Sequence, residues 1–75
     1  MLGDELQKAR LAAKLTQEKL SWLAGIDRSF ISQLENNKWS PNVEVLFRLC
    51  DAMGVLASEL IARVEMTRKP RPRQK

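Results

Sequence analysis

The sequence predicts an all-α fold of five helices, and three observations carry that reading. Gly, Pro and short polar groups cut the 75 residues into five helix-sized pieces. Within each piece apolar residues recur at steps of three and four, and no stretch alternates with the period of two that marks a half-buried strand. A chain of this length makes one small domain, near the lower limit at which a hydrophobic core holds a fold without disulfides or metal.

The first piece, 2–13, repeats Leu2, Leu6, Ala9 and Ala13 along one helical face. Thr16 then reads as an N-cap, with Glu18 complementing the positive end of a second helix that runs to about Ala24 and buries Leu20 and Ala24. Gly25 supplies the left-handed residue that stops it. Asp27 caps the third helix, and Ile26 and Ile31 occupy the two positions of a hydrophobic staple. This helix, over 28–36, puts Ile31, Leu34 and Glu35 inward. Its outer face is a row of hydrogen-bonding side chains, Arg28, Ser29, Ser32, Gln33 and Asn36. Asn36 and Asn37 can end it, since Asn tolerates the left-handed conformation. After the loop KWSPN, a fourth helix from about Asn42 or Val43 carries Leu46, Leu49, Cys50 and Met53 and stops at Gly54. A fifth, over 56–67, presents Leu60, Ile61 and Val64. Pro70 and Pro72 then break any helix, which divides the chain into a domain at 1–67 and a basic, disordered tail at 68–75.

Charge follows the same division. Residues 1–67 hold eight Lys or Arg against nine Asp or Glu, while 68–75 hold five basic residues and no acidic one. The overall charge of +4 is therefore a property of the tail, and evidence for a polyanionic partner has to come from where individual side chains point. The tail would add sequence-independent phosphate attraction, slip an Arg into a minor groove, or serve solubility alone. A single cysteine, Cys50, on the apolar stripe of the fourth helix reads as a core thiol rather than a redox sensor. The chain has no histidine, and it offers no paired carboxylates, no nucleophile with a base and no metal cluster, so we expect no enzyme, cofactor or metal site. The N-terminal residues lack a positive leader ahead of an apolar run, and no apolar run reaches bilayer length, so a cytoplasmic protein without a membrane partner is expected.

Two short helices joined by a Gly-containing turn, the second with a polar outer face, outline a helix-turn-helix. The stretch LTQEKLSWLAGIDRSFISQLENNKWSPNVEVLFRLCDAMGV resembles the phage-repressor-type (lambda repressor and Cro-like, XRE) helix-turn-helix family. Gln17, Leu20, Gly25, Ile26, Ile31, Ser32, Leu34, Glu35, Pro41, Leu46, Gly54 and Val55 match its pattern, and the resemblance covers roughly residues 2–65. Ser21 stands where Ala is usual, Asn37 where Gly is usual, and Leu56 where a Ser-like cap is usual.

The resemblance places the third helix in a DNA major groove. Gln33 then matches N6 and N7 of adenine, Arg28 suits either guanine O6 and N7 or a phosphate, and Ser29 and Ser32 contact bases permissively. Gln17 at the start of the second helix is implied to contact phosphate, with Asn36, Lys38 and Ser40 on the opposite strand's backbone. Lys38 as a solvated charge is the alternative. An ion pair between Arg10 and Glu35 is implied as a structural feature.

One recognition helix reads only a few base pairs, so specificity calls for a homodimer on a two-fold site. Leu56, Leu60, Ile61 and Val64, with Met66, are the expected dimer surface, although at least one of Leu60 and Ile61 must close the monomer core. Phe47 and Val43 belong to the core or to an interface. Trp22, Leu23, Trp39 and Leu11 either cover one another or the tail, or form a patch for a protein partner, centred on Trp22 and Leu23. The expected function is a transcriptional regulator that binds an inverted-repeat operator as a homodimer. The resemblance extends to restriction-modification controller proteins. An antitoxin or other protein-interaction module with the same fold is the rival reading.

Overall fold

A computed structural model describes residues 1–68; apart from Arg68, the basic tail lies outside the described residues. Five helices follow one another: α1 (Leu2–Ala12), α2 (Gln17–Ala24), α3 (Arg28–Glu35), α4 (Val43–Met53) and α5 (Ala57–Thr67), with no strand among the described residues. None of them is long and apolar enough to cross a membrane.

Helices this short do not persist alone, so their ends and their packing have to hold them. Three begin on a side-chain cap: Thr16 Oγ1 accepts from the Lys19 amide at 3.0 Å, Asp27 from Ser29 at 3.1 Å and Asn42 from Val45 at 2.8 Å. Leu56 starts α5 without a side-chain cap, and its carbonyl instead accepts from the Glu59 and Leu60 amides.

The first four helices stop in one manner. Each runs into a residue with positive φ: Lys14 at 60°, Gly25 at 70°, Asn37 at 61° and Gly54 at 73°. The amide of the following residue then bonds five positions back, Leu15 to Arg10, Ile26 to Ser21, Lys38 to Gln33 and Val55 to Cys50, which satisfies carbonyls that the helix itself leaves free. Gly25 lets the chain turn tightly enough to join α2 to α3, and Ser21 Oγ donates to the Ile26 carbonyl across that turn.

The core gathers one stripe from each helix: Leu6 and Ala9 of α1, Leu20 and Ala24 of α2, Ile31 and Leu34 of α3, Leu46, Leu49, Cys50 and Met53 of α4, and Leu60 of α5, with Ile26 from the turn. Helix α1 packs on α3 and α5, α2 on α3 and α4, and α4 closes on α5. One sequence expectation needs correction here. Leu60, expected at a dimer surface, is only 1% exposed and closes the monomer core, because α5 docks against α1 and α4 along that position; Ile61, a hundred degrees round the helix, stays 42% exposed. Of the two places left open for Phe47 and Val43, core or interface, exposure on α4 rules out the core.

Burial pushes the Cys50 thiol above its usual pKa, and the Asp51 carboxylate adds to the effect. Cys50 is therefore expected to resist a thiol reagent in the native protein and to label at the rate of opening, which a labelling time course in increasing urea would read. Replacing Leu49, fully buried at the centre of the core, by Ala is expected to cost about 2–5 kcal/mol in urea unfolding.

Candidate nucleic-acid interface

Helix α3 is built so that its two sides do different work. Residues 28, 29, 32, 33 and 36 fall on one arc, while 31, 34 and 35 fall on the other. The inner arc is buried; on the outer one Arg28, Ser29, Gln33 and Asn36 are exposed and Ser32 half-buried. No described carboxylate pairs with the Arg28 guanidinium. Asn36 is partly occupied, its amide donating to the Ser32 carbonyl at 2.9 Å. Lys38 and Ser40 are exposed in the loop beyond.

The inner arc ends in a buried ion pair. Arg10 Nε donates to Glu35 Oε2 at 2.7 Å and Arg10 Nη2 to Oε1 at 3.1 Å, a two-pronged contact between side chains only 9% and 4% exposed. Arg10 Nη1 donates to the Leu15 carbonyl at 2.8 Å, in the turn between α1 and α2. The Gln17 amide nitrogen donates to Glu35 Oε1 at 3.1 Å. Gln17 is thus held by the ion pair through one N–H of its amide, and its second N–H has no hydrogen-bond partner among the described residues. Every buried side-chain nitrogen and oxygen among the described residues has a hydrogen-bond partner.

At this end of the molecule Gly3 drew no role from the sequence, and Asn37 only that of ending α3. Gly3 packs so closely on the last turn of α3 that a Cβ would collide with the Leu34 and Glu35 carbonyl oxygens. Asn37 bonds the Gly3 amide through its side chain. No sequence signal pointed to this contact between them.

Away from α3, Trp22 is 76% exposed with Lys19 Nζ 5.6 Å from its ring centre, and Leu23, Leu11 and Trp39 are exposed as well. Leu23 also lines a shallow groove with Ala24, Arg48, Asp51 and Ala52. On α5 and its cap, Leu56, Ile61 and Met66 are exposed and Val64 half-buried.

The helix-turn-helix family profile matches residues 6–60, most of the chain and all of the paired helices. This chain belongs to the phage-repressor-type helix-turn-helix family. Within that family it is 30% identical over 67 residues to the HTH-type transcriptional regulator y4dJ of Sinorhizobium fredii, covering 89% of this chain and 87% of that protein. Its fold superposes on the restriction-modification controller protein C.AhdI from Aeromonas hydrophila with a TM-score of 0.76 at 30% identity, over 79% of this chain and 89% of that one. The DNA-binding domain of the P22 C2 repressor matches with a TM-score of 0.78 at 28% identity, over 81% and 80% of the two chains.

The ion pair generates a stability prediction. Arg10→Met leaves Glu35 buried without its countercharge, so it is expected to cost roughly 3–5 kcal/mol, whereas the double variant Arg10→Met/Glu35→Leu should recover much of that loss. Urea denaturation of the two variants beside the wild type would measure the difference.

Proposed function

We propose that this helix-turn-helix transcriptional regulator binds an inverted-repeat operator as a homodimer, with α3 in the major groove of each half-site. The observation that carries the reading is the outer arc of α3: a short helix whose exposed side chains are hydrogen-bonding groups, set beside the N-terminus of α2. Gln33 presents an amide donor and acceptor to adenine, Arg28 reaches guanine or a phosphate, and Ser29 and Ser32 tolerate several bases. Gln17 offers phosphate its second N–H together with the first amides of α2. Asn36, Lys38 and Ser40 meet the backbone of the opposite strand, and the basic tail adds attraction that carries no sequence information.

Leu56, Ile61 and Val64 form the dimer surface of this proposal, joined by Phe47 on the neighbouring helix; Leu60 has no part in it because it is already buried. The relatives support the class of function: y4dJ is named as a transcriptional regulator, C.AhdI is a restriction-modification controller protein, and the P22 C2 domain is the DNA-binding part of a repressor. A protein partner at Trp22 and Leu23, as an antitoxin would have, is the second reading, favoured by the exposure of that indole.

Selection from a random duplex pool at near-physiological salt tests the first reading. An enriched inverted repeat, with half-sites about one helical turn or roughly 34 Å apart, is the expected result. Binding without enrichment would defeat it and send attention to proteins that co-purify. On the enriched site, Gln33→Ala should lose about 1–3 kcal/mol and relax preference at a single base pair. Lys38→Ala should weaken all sequences alike and reduce the slope of log K against log salt by about one. Ile61→Asp should shift sedimentation toward monomer and weaken full-site binding far more than half-site binding.

A further inference from the structure

The recognition helix is attached to α1 at its far end as well as through the ion pair, and the attachment runs through a single side chain. Asn37 ends α3 with φ 61°, a conformation that glycine adopts freely and other residues resist. Its side chain does what glycine could not. Oδ1 accepts from the Gly3 amide at 2.9 Å, and Nδ2 lies 3.4 Å from Asp4 Oδ1.

Gly3 is the second residue of α1, and its amide belongs to the first turn, where no carbonyl of the helix itself can accept. Asn37 therefore caps α1 from 34 positions away along the chain. The Gly3 Cα face also lies close against the Leu34 and Glu35 carbonyl oxygens at the end of α3. Only glycine at position 3 permits that approach.

The backbone on either side of Asn37 is held too. Its own amide bonds the Leu34 carbonyl at 3.1 Å, and the Lys38 amide bonds the Gln33 carbonyl at 2.9 Å. Asn36, Lys38 and Ser40, the side chains assigned above to the DNA backbone, thus leave from a segment anchored at two places, the last turn of α3 and the first turn of α1.

We propose that Asn37 is a positioning residue for DNA binding: by tying the α3–α4 segment to the Gly3 amide, it orders residues 36–40 before DNA arrives. This inference rests on the reading of α3 as the DNA-recognition helix. An unattached segment would have to be ordered at the moment of binding, and the lost conformational freedom would appear as weaker affinity with unchanged sequence preference.

Asn37→Gly separates the tie from the turn, because glycine keeps the left-handed backbone and removes only the side chain. In the free protein, the Gly3 amide should exchange with solvent much faster in the variant than in the wild type, at a nearly unchanged melting temperature. On the selected operator, affinity should fall about threefold to tenfold, with the same bases preferred. In a Lys38→Ala/Ser40→Ala background the same substitution should lose most of its effect, since the side chains it positions are gone. Wild-type affinity in Asn37→Gly, an undiminished loss in the Lys38→Ala/Ser40→Ala background, or collapse of the fold would each overturn the proposal. The last of these would make Asn37 a residue of stability alone. The exchange measurement needs no DNA, so if the wild type selects no operator, the functional reading has failed while the tie itself is still tested.

Discussion

A guanidinium and a carboxylate, both nearly excluded from water, meet where α1, α2 and α3 converge, and the arrangement of the molecule hangs on them. A buried charge is tolerable only when its partner and its remaining hydrogen bonds are all in place. Arg10 satisfies Glu35 with two donors and spends a third on the Leu15 carbonyl, while Gln17 fills another site on the carboxylate. Four segments are thereby referred to one point: α1, the turn after it, the first residue of α2 and the last residue of α3. Glu35 lies at the border of the inner arc of α3, so fixing its carboxylate fixes the rotation of that helix about its axis. The direction in which Arg28, Ser29 and Gln33 face follows from this.

Hydrophobic burial supplies most of the stabilisation, since each large side chain removed from water contributes about 1.5–3 kcal/mol. It does not choose a rotation, however, because apolar contacts are not directional. Polar contacts with defined geometry make that choice. The left-handed residues at Lys14, Gly25, Asn37 and Gly54 act in the same sense, each ending a helix at a set residue and sending the chain off in a set direction. Short helices with firm ends and one directional buried pair make a frame on which a few exposed side chains can be varied without disturbing the core.

The surface is unevenly divided. Exposed hydrogen-bonding groups line the outer arc of α3, while the exposed large apolar side chains lie off that arc, on α1, α2, α4 and α5 and, at Trp39, in the loop after α3. In the proposed reading, base recognition and association with another chain therefore draw on largely separate elements. A regulator of this size can change one without rebuilding the other.

Much of this was legible in the chain because the signals are local. A cap acts over three residues and a helix stop over five, so Thr16, Asp27, Gly25, Asn37 and Gly54 announced helix ends, and spacing along α3 separated its inner residues from its outer ones. Lys14 gave no such signal, since lysine has no preference for the left-handed conformation that the turn imposes on it. What the sequence left open depends on docking between elements. Leu60 and Ile61 are neighbours of equal apolar character, and only the approach of α5 to α1 and α4 decides that the first is core and the second surface. Phe47 fits an apolar stripe by composition, yet α4 turns it outward. The tie between Gly3 and Asn37 joins residues 34 apart, and the engagement of Gln17 by Glu35 joins residues 18 apart. Residue type and spacing determined the helices and their faces; contacts between residues distant in the chain, which no local rule encodes, decided which faces meet.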